Sequence, residues 1–102
     1  MTTIEKKERG TTVKTTWNTQ SDGADTDVNS PKINIYRPDG SKLVDNDDPN
    51  HDGTGNYSYY FTTTSSDLLG LYVIEWTGYH DVSGTAKPII DRKLVEIVSV
   101  SQ

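Results

Sequence analysis

Apolar and polar residues alternate with a period of two along much of the chain. In residues 11–18, this alternation places Val13, Thr15 and Trp17 on one face. Similar alternating segments occupy residues 32–37, 56–63 and 71–79. No stretch repeats apolar residues at helical spacing over three turns, and clusters of Gly, Pro, Asn and Asp separate the segments. Each segment therefore predicts a half-buried strand, and we expect an all-β fold.

Two further segments extend the predicted strand set. The run Pro38-Asp39-Gly40 predicts a tight turn, after which residues 42–44 form a short returning strand. Residues 88–100 have a high strand propensity at nearly every position, so the pattern does not show which side of this last strand faces the core. We expect a bulge to shift its register midway.

The chain has 102 residues, which is the size of one domain. Hydrophobic residues make up only 31% of it, so the core is expected to be thin. We predict a single sandwich domain over residues 10–102. Residues 1–9 precede it, and residues 3–9 form either a charged edge strand or a disordered arm.

The net charge of −5 is local, because residues 21–53 hold eight acids against three bases and the remainder is balanced. With no basic stripe, nucleic acid and anionic membranes are not expected as partners. The absence of cysteine excludes disulfides, thiolate metal sites and cysteine nucleophiles. No apolar run suits a membrane span or a signal peptide, so we expect a complete reading frame without a leader and no membrane insertion.

Two aromatic segments carry a resemblance to a known family. One runs from Gly55 to Phe61 with the pattern G-x-Y, and the other, Asp67 to Tyr72, reads D-x-x-G-x-Y. With the Pro38-Asp39-Gly40 turn, they resemble bacterial and phage immunoglobulin-like domains, including macroglobulin-like and fibronectin III-like varieties. The resemblance implies an antiparallel β-sandwich of about seven strands.

The same resemblance implies roles for three aromatic residues. Tyr72 is similar to the tyrosine-corner residue, whose hydroxyl returns to the backbone, and Trp76 or Trp17 is similar to the core tryptophan. The chain departs from the family pattern by lacking a cysteine pair.

Asp48, Asn50 and Asp52 match the first half of a calcium loop, in which oxygens at alternating positions converge on the ion. The match is incomplete, because the position of the bidentate acid is occupied by Tyr59. We predict no other cofactor. The alternative interpretation is a solvated hairpin loop rich in turn-forming residues.

The histidines and the outward tyrosines are further candidate binding residues. His51 and His80 could form a metal site with a carboxylate, or be two unrelated surface residues. Tyr36, Tyr60 and Tyr79 could stack on sugars, although aromatic residues also cover sheets. With no nucleophile elbow and little room for a cleft, no catalytic residues are predicted and the protein is not expected to be an enzyme.

These observations predict a non-enzymatic structural or interaction module. We expect a small virion protein of a phage or related virus, used in capsid decoration or as a neck or tail component. Its partners would be other virion or surface proteins, with a homo-oligomer also allowed. The alternative is a calcium-dependent extracellular module at the cell surface that serves adhesion or carbohydrate binding.

Overall fold

The computed structural model describes residues 5–64 and 67–99. Ten strands form within these ranges: β1 (Glu5–Glu8), β2 (Thr12–Asn18), β3 (Gln20–Ser21), β4 (Ala24–Asp25), β5 (Asn29–Tyr36), β6 (Lys42–Asp47), β7 (Asn50–Gly53), β8 (Asn56–Thr62), β9 (Gly70–Val82) and β10 (Thr85–Val98). No described residue is helical, so the all-β prediction is confirmed. Within the same ranges, no helix has the length and apolarity of a membrane span.

The strands form two main sheets and a small ribbon. The larger sheet has the order β1-β10-β9-β5-β6, the smaller has the order β2-β8-β7, and β3 pairs with β4. Neighbouring strands are antiparallel except for β1, which runs parallel to β10. Buried residues of both sheets form one cluster, so the molecule is a β-sandwich.

Two hairpins close through two-residue turns in which both central residues have positive φ. Ser83 and Gly84 have φ angles of 53° and 80°, and Asp22 and Gly23 have 54° and 80°. These are the angles of the type I′ turn, whose twist matches that of the flanking strands. Beyond Ser83 and Gly84, β9 and β10 pair in a continuous register to Gly70 and Ile97. The bulge expected in the last strand is therefore wrong.

The core lies between the sheets and is dominated by large side chains. The buried apolar residues are Val13, Trp17, Val28, Ile33, Ile35, Tyr57, Phe61, Tyr72, Ile74, Trp76, Val95 and Ile97. Trp17 of the smaller sheet stacks on Trp76 of the larger one, with ring centroids 5.6 Å apart and planes 26° apart. Trp17 also packs on Tyr57, at 5.9 Å between centroids. The two indoles therefore join the sheets at their centre.

The predicted strands agree with the structure where one face is buried. In β2 the alternation is complete, and Val13, Thr15 and Trp17 face the core. In β10 the inward face, which the sequence left open, is the one that carries Val95 and Ile97. Of the segment predicted as an edge strand or disordered arm, β1 forms an edge strand, while residues 3 and 4 lie outside the described residues.

Two features were not predicted. The ribbon of β3 and β4 is short and exposed, so no periodicity marks it. The acidic segment after β6 is not a hairpin loop, because the chain crosses there from the larger sheet to β7 in the smaller one. The described residues thus hold more strands than the seven expected.

We predict that Trp76→Ala destabilises the protein by about 3–5 kcal/mol, because it leaves a cavity at the junction of the sheets. Urea unfolding followed by circular dichroism measures the loss. The exposed Tyr60 supplies the control, since Tyr60→Ala should change the unfolding free energy by less than about 0.5 kcal/mol. A loss below about 1 kcal/mol for Trp76→Ala would show that the indole pair does not hold the sheets.

Candidate interaction site

Two motifs that the sequence places far apart meet at one end of the sandwich. The hydroxyl of Tyr72 donates a hydrogen bond to the carbonyl of Leu68 at 2.7 Å, which is the geometry of a tyrosine corner. Next to it, the turn after β5 is closed by the Gly40 N–H, which donates to the Arg37 carbonyl at 2.9 Å. Gly70 lies against Pro38 of this turn, where a Cβ atom would be 3.1 Å from the Pro38 Cγ. The close approach and a φ of 132° both favour glycine there.

Asp67 connects the parts of this corner. Its carboxylate accepts hydrogen bonds from the Arg37 Nε at 3.0 Å and from the Thr64 N–H at 2.7 Å. The Asp67 side chain is 9% exposed and that of Arg37 is 26% exposed. The Thr64 N–H and then the Arg37 guanidinium hold the pKa of the Asp67 carboxyl below its usual value. The corner is therefore fixed by a shielded ion pair.

Asp27 has an equivalent role at the opposite end, beside the turn between β7 and β8. Its carboxylate accepts a hydrogen bond from the Gly55 N–H at 2.6 Å and contacts the His51 Nε2 at 2.9 Å. The Gly55 N–H, followed by His51, lowers the pKa of the Asp27 carboxyl. Only glycine fits at position 55, because a Cβ atom there would lie 2.6 Å from the Thr19 carbonyl oxygen. The segment before β5 is thereby joined to the β7–β8 hairpin.

Asp48 of the predicted calcium loop and the preceding Asp47 both have structural partners. Asp47 accepts a hydrogen bond from the Tyr59 hydroxyl, and this bond is the largest cause that lowers the pKa of the Asp47 carboxyl. Burial, followed by Asp47, raises the pKa of Tyr59 to about 12. Asp48 forms an ion pair with Lys32. The crossover between the sheets is therefore held by side chains from both of them.

The residues predicted to ligate calcium do not surround a common point on a loop. Asp48 pairs with Lys32 before the chain enters β7, and Asn50 and Asp52 lie within that extended strand. Residues 5–64 and 67–99 contain no group of three or more His, Asp or Glu side chains placed to hold a metal ion. Calcium binding by Asp48, Asn50 and Asp52 stays a prediction that a titration must test.

The histidines and exposed tyrosines also occupy separate places. His51 lies on β7 and contacts Asp27, whereas His80 lies on β9. The Nε2 of His80 is buried without a hydrogen-bond partner in the described part of the chain. Tyr60 lies on the smaller sheet, whereas Tyr36 and Tyr79 are on the larger one. The three tyrosines consequently do not form one stacking platform.

The outward face of the β9–β10 hairpin carries most of the exposed large hydrophobic residues in the described part of the chain. Because Tyr72, Ile74 and Trp76 face the core, odd-numbered residues of β9 point outward, and so do even-numbered residues of β10. Of the large hydrophobic residues exposed in the described ranges, all but Tyr60 lie on this face or just before β9: Leu68, Leu69, Leu71, Tyr79, Ile90 and Leu94. We call the four of these residues that lie on β9 and β10, namely Leu71, Tyr79, Ile90 and Leu94, the hairpin face.

A polar contact divides the hairpin face into two parts. Glu75 accepts hydrogen bonds from the Arg92 Nε at 3.0 Å and from the Tyr36 hydroxyl at 3.3 Å. Leu71 lies on one side of this contact and Ile90 on the other, and they are 45% and 56% exposed. Two groups of exposed apolar side chains therefore flank a satisfied ion pair on this surface.

Sequence reasoning missed the hairpin face, although a signal was present. Both the odd and the even positions of β9 and β10 carry apolar residues, as in the neighbours Leu71 and Tyr72 or Leu94 and Val95. A strand that is covered on one side alternates apolar and polar residues, so apolar residues at both parities predict apolar side chains on the outer side as well.

Comparisons with known proteins identify no relative. No protein-family model, curated protein or solved structure matches the chain.

Asp67→Asn is expected to lower the unfolding free energy by about 1–3 kcal/mol at pH 7, because the charged acceptor of Arg37 and Thr64 is lost. Since the folded pKa of Asp67 is depressed, its stabilising effect is full above the unfolded value of 3.8 and disappears as the pH falls through the folded value. Urea unfolding from pH 7 to about pH 2 should therefore show the variant and the wild type converging in acid. The exposed Asp52 gives the control, Asp52→Asn, which should follow the wild type, and a constant gap at all pH values would contradict the assignment.

Calcium is expected to leave the melting temperature unchanged to within about 1 °C, because Asp48 is paired with Lys32 and β7 is extended. A bound ion at about 100 times its Kd would add about 2.7 kcal/mol, or at least about 10 °C for a domain of this size. Thermal unfolding in calcium and in chelator measures the difference. An upward shift that Asp52→Ala removes would establish the calcium site instead.

Proposed function

We propose that this chain is a non-enzymatic, immunoglobulin-like module that binds other proteins, and that it serves as a structural component of a virion. The hairpin face carries the proposal. Exposed apolar side chains are costly in water, and their concentration on one hairpin indicates a surface that another protein covers.

The strand order supports the immunoglobulin-like part of the proposal. In that fold, one sheet holds strands in the order A-B-E-D, the other holds C-F-G, and variable types add C′. Here β2, β8 and β7 correspond in order to B-E-D, and β6, β5, β9 and β10 to C′-C-F-G. The tyrosine corner made by Tyr72 lies at the start of the strand that corresponds to F. The departure is β1, which pairs with β10 and not with β2.

The charge distribution supports docking through the larger sheet. Asp27 and Asp67 lie between strands and Asp47 is the last residue of β6, and each of these acids has structural partners. On the hairpin face the central charges, Glu75 and Arg92, neutralise each other. A partner can therefore cover the centre of this face without leaving Glu75 or Arg92 unpaired, and an unpaired charge would be costly to bury.

Binding to virus particles tests the proposal. The protein should sediment with particles of the virus that encodes it, and Leu71→Lys should weaken that binding about tenfold or more, because one apolar contact is worth about 1.5–3 kcal/mol. The sheet should accept this lysine because Leu71 lies opposite Glu96.

A matched variant on the other sheet is the control. Tyr60 is 54% exposed and lies opposite Lys14, so Tyr60→Glu also introduces a charge beside its opposite. This variant should bind like the wild type, and both variants should keep the wild-type circular dichroism. Absence of the protein from particles would exclude the virion role, and equal binding by both variants would exclude the hairpin face.

A further inference from the structure

Among the described residues, one edge of β10 has no neighbouring strand over most of its length. β9 pairs with β10 along its length, whereas β1 pairs only with residues 95–98. In the part of the chain that the structure describes, residues 85–94 have no strand on their other side. Pro88 has no N–H to donate, so it fits a position whose N–H would point away from β9. Even-numbered residues thus direct their backbone groups toward the open edge.

We propose that a second copy of this chain pairs with this edge, so that two β10 strands run antiparallel about a two-fold axis perpendicular to the sheet. The proposal goes beyond the proposed function, because it uses the strand edge and not the hairpin face. Such an axis keeps the core-facing sides of the two copies on the same side of the joined sheet. Each odd-numbered residue must then pair with an odd-numbered residue of the other copy, and each even-numbered residue with an even-numbered one. To span residues 85–94 the axis must pass near their middle, at Ile89 or at Ile90.

The charges of β10 decide between these two registers. With Ile90 on the axis, Lys87 of each copy would lie opposite Lys93 of the other. With Ile89 on the axis, Lys87 of each copy lies opposite Asp91, and the pair occurs twice by symmetry. Opposite charges across strands stabilise a sheet and like charges destabilise it. The charge complementarity therefore selects the register centred on Ile89.

The groups that this register joins are free to pair. Lys87 and Asp91 are both exposed, and neither forms an ion pair with any other described residue. Lysine and proline on an edge oppose unspecific strand pairing. In the proposed register, Pro88 lies opposite Ile90 and each copy lacks only one donor. A partner strand must therefore place an acid opposite Lys87 and a base opposite Asp91, and the antiparallel β10 of a second copy does so.

Charge exchange on the full chain provides the first test. Sedimentation velocity over a concentration series at low salt should show a monomer–dimer equilibrium for the wild type. Lys87→Asp and Asp91→Lys should each weaken the dimer about tenfold or more, because two favourable pairs become two like-charge pairs. The double variant K87D/D91K should recover the wild-type dissociation constant to within about threefold. Asp81→Lys, on the same hairpin but away from the edge, should behave like the wild type.

Cysteine crosslinking provides the second test, since the chain has no cysteine of its own. Odd-numbered residues form the non-hydrogen-bonded pairs of the proposed ladder, so the two Ile89 Cα atoms would be about 4.5 Å apart, within disulfide range. Under oxidation, Ile89→Cys should form a covalent dimer on a non-reducing gel. Lys87→Cys should not, because the two positions would be more than about 13 Å apart.

A wild-type monomer at all concentrations up to about 1 mM would overturn the proposal, as would dimers that Lys87→Asp leaves intact or that Lys87→Cys crosslinks as fast as Ile89→Cys. These outcomes are independent of the hairpin face. Leu71→Lys changes particle binding and leaves the edge unaltered, so either proposal can fail while the other holds.

Discussion

The stack of Trp17 on Trp76 is the contact on which the sandwich depends. A chain with 31% hydrophobic residues cannot fill the space between two sheets with aliphatic side chains alone. Two indoles, one from each sheet, span that space, and Tyr57 packs against one of them. The remaining core residues surround this pair. Packing between aromatic rings of the two sheets therefore holds the centre.

The acidic residues secure the periphery of this small core. Asp67 joins the turn after β5 to the tyrosine corner, and Asp27 joins the segment before β5 to the β7–β8 hairpin. Asp47 and Asp48 hold the crossover between the sheets through Tyr59 and Lys32. At each of these places a carboxylate accepts a charge-assisted hydrogen bond from a neighbouring segment, which holds together parts of the chain that the thin core does not reach. These four carboxylates therefore have structural partners at the edges of the core.

The sequence predicted those features that depend on one buried face. Alternation identified β2 and the inward residues of β9, because each strand has one side in water and one in the core. It did not predict β7, whose residues are mostly exposed, or the β3–β4 ribbon. The contact of Arg37 with Asp67 joins residues that are distant in the chain, which no local pattern shows. The hairpin face, in contrast, could have been predicted, because Leu71 and Leu94 are apolar residues on the outward side of their strands.

The parallel pairing of β1 with β10 has a consequence for how the protein is made. β1 leaves the ribosome before the other described strands, yet its only strand neighbour in the described structure is β10, which is the last of them. Closing so long a loop costs entropy and slows folding. During synthesis the smaller sheet can form first, while β1 and the edge of β5 that receives β9 stay without partners. The larger sheet is completed only when the β9–β10 hairpin inserts between them. The two strands that are translated after all the other described strands therefore commit the sandwich to its fold.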